Sequence, residues 1–185
     1  MRKWIAILIM ILVSVNFYFS VKRMKPVSQD KKEIAQVLEE IDEKIHTQYP
    51  DDPEGVITLH NILMDNLYSG KLTDEQVQGT VKLQRELYAK DFLDLTSQEE
   101  QLEEVHREIL MLEEKSIKIL DSKIMNAYEE PPGIMKIEVA HYTNQADIIR
   151  LYLLRKGPDE ESGKEKWKIF GWKDIKSAQI QEEKK

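Results

Sequence analysis

The chain has 185 residues with 34 Asp plus Glu against 27 Lys plus Arg, a net charge of −7 and no cysteine. That composition excludes a disulfide framework, a thiolate metal site, a cysteine nucleophile and a lipoprotein acyl anchor. Arg2, Lys3, Lys22, Arg23 and Lys25 crowd the first 25 residues without an acid, so the rest is more acidic than the total. Such a field repels phosphate backbones and anionic headgroups, which argues against nucleic acid and against a body that hugs the bilayer.

Residues 1–25 read as a membrane anchor, with an uncharged run from Trp4 to Val21 as its span. At ~1.5 Å per residue this run reaches about 27 Å, close to the hydrocarbon thickness of a bilayer. Trp4 and Tyr18 stand near its two ends, where amphipathic rings prefer the headgroup level. A cleaved signal peptide is the competing reading, but the exit Phe17-Tyr18-Phe19-Ser20-Val21 lacks the small residues that cleavage needs. The short basic leader favours export of the body, although Lys22, Arg23, Lys25, Lys31 and Lys32 count towards a cytoplasmic one.

Residues 26–175 read as one α+β domain, helices over about 29–114 and then sheet over about 116–173, with 176–185 as a charged tail. Ser28 is a suitable N-cap for a first helix, Gln29 to Tyr49, whose Ile34, Val37, Leu38, Ile41 and Ile45 make one stripe and which Pro50 ends. Asp52-Pro53 opens a second helix that stops at Gly70, and Thr73-Asp74-Glu75-Gln76 opens a third. Thr96-Ser97-Gln98-Glu99 repeats that device before a fourth helix carrying Leu102, Val105, Ile109 and Leu112. Ser116 to Met125 reads as strand, with helix as the alternative. Alternation then places strands at Met135–Ala140, Asp147–Arg155 and Lys166–Lys173. Helices followed by strands on short turns imply about four helices packed on a three- to four-stranded antiparallel sheet.

Together the basic start, the apolar run, Tyr49-Pro50-Asp51-Asp52-Pro53, Leu67-Tyr68, Thr73-Asp74-Glu75-Gln76, Tyr152 to Lys156 and Trp167 to Trp172 resemble an uncharacterised family of short bacterial membrane-anchored proteins, a domain of unknown function. The closing strand, Trp167-Lys168-Ile169 and Gly171-Trp172, also resembles the last strand of the nuclear-transport-factor-2-like superfamily. That second resemblance implies a curved sheet wrapping helices around a pocket, a scaffold for enzymes and for plain binding modules alike. The first implies no catalytic residues.

The chemical candidates are few. Glu43 with His46 and Glu103 with His106 have the Glu-x-x-His step of di-iron bundles, but Glu43 faces away from the stripe centred on Ile34 and Glu103 is off its own stripe. Ser28 and Lys31 have the spacing of some acylating hydrolases without the companion motifs. His60 lies beside the apolar stripe of the second helix and His141 is in phase with Met135, Ile137 and Val139, so both can face a common pocket as acid or base, or sit as paired core-edge histidines. Trp167, Phe170, Trp172 and Tyr152 read as core, with a partner-docking face as the alternative. No cofactor or metal site is expected. The reading is a single-pass membrane protein whose non-catalytic body binds a protein or small ligand outside the cytoplasmic membrane. A pocket enzyme and a structural envelope subunit are the alternatives.

Overall fold

The computed structural model describes residues 27–159 and 163–175, so the anchor expected over 4–21 and the tail 176–185 lie outside the described residues. Contacts divide the chain into Met1–Glu33 and Ile34–Lys185, and the second unit is the folded body. Among the described residues no helix is long and apolar enough to cross a membrane.

Helix α1 runs Val27–Thr47. Ser28 therefore falls within the helix and not before it, and the helix ends before Gln48, two residues short of the expected Tyr49. Ile41 and Ile45 are buried on the stripe read from the sequence. Helix α2, Pro53–Leu67, has Pro in its first turn and Asp52 as N-cap, whose carboxylate accepts the Gly55 N–H at 2.7 Å. It ends at Leu67 with Tyr68 as C-cap, three residues before Gly70. Helices α3, Asp74–Glu86, and α5, Gln98–Glu114, each start in a reciprocal capping box: Thr73 with Gln76, and Ser97 with Glu100. The second box is thus one residue later than the Thr96–Glu99 pairing suggested. A short helix α4, Lys90–Leu93, was not signalled by any periodicity, being a single turn.

Four strands complete the fold: β1 Ile119–Glu129, β2 Ile134–Thr143, β3 Ile148–Pro158 and β4 Glu165–Ile175. The stretch 116–125 is strand from Ile119 onward. Ser116, at φ 53°, turns the chain out of α5, and the strand runs on to Glu129. The sheet is antiparallel in the order β1-β2-β3-β4. Register shifts interrupt β1 twice and the β3–β4 pairing once, between Leu153 and Leu154. Bulges of this kind bend strands and increase twist.

Among the described residues five helices pack with this sheet, and the core is Ile57, Leu63 and Leu87 from the helices with Ile137, Val139, Tyr152, Leu154 and Ile169 from the strands. A smaller cluster, Leu67, Val77, Val81 and Val105, joins α2, α3 and α5. The β4 edge is covered at its middle: Ala89 N–H donates to Ile169 O at 2.8 Å, and Ile169 N–H donates to Leu87 O at 2.9 Å. The turn from α3 to α4 therefore acts as a short fifth strand and fixes the end of α3 against the sheet.

Candidate functional site

Strand pairing dictates which side chains meet on the helix-facing side. Val139 pairs with Arg150 and Arg150 with Asp174; Ile137 pairs with Tyr152 and Tyr152 with Trp172; Ser122 pairs with His141. Directly paired residues share a face, so Ser122, His141, Arg150, Tyr152, Trp172 and Asp174 all project towards the helices. Helix α2 lays Asp65 and His60 over them, and α3 with the turn after it brings Gln84, Arg85 and Tyr88.

The predicted pair, His60 and His141, is brought together around one tyrosine. Both are buried, at 1% and 3% exposure. The Tyr152 ring stands 5.2 Å from that of His60 and 6.4 Å from that of His141. Burial lowers His60 to about 3, assisted by the charge of Arg150, and lowers His141 to about 4 for the same two reasons in the same order. Both are neutral near pH 7, and their tautomers follow from the hydrogen bonds around them.

Two directed chains result, each starting at an arginine. Ser122 Oγ has one proton and donates it to Asp65 Oδ1 at 2.5 Å. His141 Nδ1, 2.7 Å from the same oxygen, must then be the N–H. Its Nε2 is left to accept from Tyr152 O–H at 3.4 Å, and Tyr152 in turn accepts from Arg150. The order is Arg150, Tyr152, His141, Ser122, Asp65, a cation at one end and a carboxylate at the other. The second chain begins with Arg85, whose Nη1 donates to Gln101 Oε1 at 2.9 Å and to Thr96 O at 3.0 Å. The Gln101 amide donates to the Tyr88 hydroxyl, which donates to His60 Nε2 at 3.1 Å. His60 Nδ1 carries the proton and meets no acceptor among the described residues.

Between α2, α3, α5 and the β3–β4 strands lies a cavity of about 210 Å³. Arg85 and Arg150 line it together with Tyr68, Tyr88, Phe92 and Trp172, and Gln84 and Gln101 are also among its lining residues. Phe92 packs edge-on against Trp172 at 4.9 Å and against Tyr88 at 5.4 Å. Arg150 is held by Asp174 at 2.7 Å and lies 6.0 Å from the Trp172 ring. Tyr68 O–H donates to Glu108. Neither His60 nor His141 lines the cavity; each stands behind a residue that does, Tyr88 for His60 and, through Tyr152, Arg150 for His141.

The Glu-x-x-His steps stay apart. Glu43 is exposed, and His46 is exposed with Nδ1 2.8 Å from Asp42 O; Glu103 is exposed, and His106 lies beside a different hollow under α5. Among the described residues no group of three His, Cys, Asp or Glu side chains is placed to hold a metal ion. Trp172 is 37% exposed rather than core, since it forms the rim of the cavity, whereas Tyr152 and Ile169 are fully buried. The sequence reading missed Arg85, Gln84 and Asp65. Arg150 had a signal: it is in phase with Ile148, Tyr152 and Leu154, a charge on the inward side of an apolar strand.

An α+β body with a small aromatic cavity and two arginines is the class of protein that fold and site define. The chain belongs to the family of the domain of unknown function DUF6715, which matches residues 1–172. No curated protein and no solved structure matches it.

Proposed function

We propose that the chain is a membrane-tethered, non-catalytic domain that binds a small ligand outside the cytoplasmic membrane. The observation that carries the binding reading is the cavity of about 210 Å³ with its aromatic walls and inward polar groups. Concave sites in which aromatic side chains stand beside convergent polar groups are where proteins take small molecules. Tethering rests on the uncharged run from Trp4 to Val21, and the outward orientation on the short basic leader before it.

A pocket enzyme built on His60 and His141 is disfavoured by the direction of the protons. Ser122 gives its hydrogen to Asp65, and His141 presents an N–H to the same oxygen, so the histidine cannot draw a proton from that serine. Its other nitrogen faces Tyr152 within the core.

Two measurements test the reading. Protease added to intact cells should degrade the body; full protection until lysis would overturn the outward orientation. In a thermal-shift screen of the full chain in detergent, a compound that binds raises the melting temperature, and the stabilisation grows as the logarithm of its concentration over Kd once that ratio is well above one. That rise should vanish in Trp172→Ala. A hit whose shift survives both Trp172→Ala and Phe92→Ala would place binding elsewhere and end the cavity reading.

A further inference from the structure

The polar groups of the cavity narrow what it can take. Gln84 is 1% exposed and lines the cavity, yet its Nε2 meets no acceptor among the described residues. A buried donor left unmade costs stability, so native structures pair such groups or supply a partner from outside the chain. Its neighbour in sequence, Arg85, also lines the cavity, and its hydrogen bonds go to uncharged oxygens, Thr96 O and Gln101 Oε1. The guanidinium has five donors and those bonds use one nitrogen, so donors remain and its charge has no bound carboxylate among the described residues. Arg150, by contrast, is already neutralised by Asp174.

Glu104 and Glu108 also border the cavity, and both are exposed, Glu108 being engaged by Tyr68. Charges at the wet rim are screened by water and salt, whereas a half-buried cation acts in a lower dielectric. The inner end therefore offers donors and positive charge. The walls offer faces and edges of Phe92 and Trp172, and about 210 Å³ is below the usual range for drug-sized ligands. One ring fits better than two.

We propose, resting on the ligand-binding function assigned to this cavity, that it takes a small aromatic carboxylate, its ring against Trp172 and Phe92 and its oxygens accepting from Gln84 Nε2 and Arg85. The carboxylate completes both donors at once, and a charge-assisted bond to arginine is roughly twice as strong as a neutral one. Neutral amides of the same shape satisfy Gln84 but forfeit the charge, and aromatic amines satisfy neither.

Ligand-observed NMR and calorimetry on the full chain in detergent, with benzoate, benzamide and benzylamine as probes, decide it. Benzoate should bind about tenfold or more tightly than benzamide, with benzylamine weakest, as expected for a bond to a charged group against a neutral one. Gln84→Met, close in shape but without donors, should weaken benzoate while leaving the melting temperature equal or higher, because it removes an unpartnered buried N–H. Arg85→Gln should erase the preference of benzoate over benzamide, and it serves if Gln84→Met does not fold. Equal binding of benzoate and benzamide, or a preference for benzylamine, overturns the carboxylate assignment and leaves a cavity that binds. Failure of all three probes, together with no hit in the thermal-shift screen, overturns the binding reading itself.

Discussion

Ser122 Oγ, on the edge strand β1, donates to Asp65 Oδ1 of α2 across 2.5 Å, joining the helix layer to the sheet by one proton. The same oxygen accepts from His141 Nδ1 at 2.7 Å, so removing it strands two partners. Ser122→Ala is expected to cost about 1–3 kcal/mol, the penalty for leaving half-buried polar groups unpaired. Asp65→Asn in the Ser122→Ala background should cost much less than in the parent, a non-additivity typical of one network. Urea unfolding of the two single variants and the double variant measures it. Additive losses would mean that the two residues act separately.

Acid should destabilise the domain well before its surface carboxylates are fully protonated. His60 and His141 have folded-state values of about 3 and about 4, below the ordinary value of an unfolded histidine. As pH falls from roughly 6.5, the unfolded chain takes up protons that the folded chain cannot, so each histidine removes about 1.4 kcal/mol per pH unit until its own folded value is reached. Above roughly pH 7 the contribution is flat. Asp65 works the other way: burial raises it, so the folded state is less penalised once that carboxyl is protonated, and stability is lost as pH rises from the ordinary carboxylate range towards the raised value. His141→Gln should flatten the loss of melting temperature between about pH 6 and 4. A parent profile without that loss would contradict the neutral, buried pair.

The helix stripes, the Thr73–Gln76 capping box and the antiparallel order were legible because each rests on local chemistry: a 3.6-residue period, a hydroxyl three residues before an amide, alternation across a pleat. The second box was read one residue early because Thr96 and Ser97 are both hydroxyls with a Glu three residues on. The site was not, and Trp172 shows why. Simple alternation puts Trp167, Ile169 and Gly171 on one face and Trp172 on the other. The bulge at Phe170 instead leaves Ile169 opposite Leu154 and Trp172 opposite Tyr152, so two residues three apart share the inner face. His60 and His141 were legible as inward-facing residues, but their common neighbour Tyr152 comes from a third element. The donors of Gln84 and Arg85 matter only because α3 is pinned to β4 through Leu87, Ala89 and Ile169. No window of sequence contains that contact.

Gly55 is required by a close approach and not by its backbone angles. A Cβ there would lie 2.8 Å from Pro50 Cβ, under the van der Waals limit, and 3.2 Å from the Asp52 carboxylate that caps α2. Gly55→Ala would ordinarily favour a helix by roughly 1 kcal/mol. Here it should destabilise, by about 1–3 kcal/mol as overpacking does, and weaken the cap. Gly79, in α3 with open space around its Cβ position, is the internal control and should gain on substitution by alanine. Equal gains at both positions in a melting-temperature comparison would refute the steric account.

The covered edge of β4 makes a further expectation that reaches the cavity. Ala89 has φ −73° and ψ 148°, angles that proline adopts, so Ala89→Pro removes the N–H that reaches Ile169 O with little change of its own backbone. The lost bond leaves a buried carbonyl unpaired and should cost about 1–3 kcal/mol. Because Tyr88 immediately precedes it and lines the cavity, Phe92 and Trp172 should loosen with it, and hydrogen exchange should rise in 87–93 and in β4 before it rises in β2. An uncovered edge also offers unpaired groups to a second chain, so sedimentation should show self-association growing with concentration relative to the parent. If exchange rose uniformly across the sheet, the turn from α3 to α4 would be an integral part of one cooperative unit and not a separable clasp on its edge.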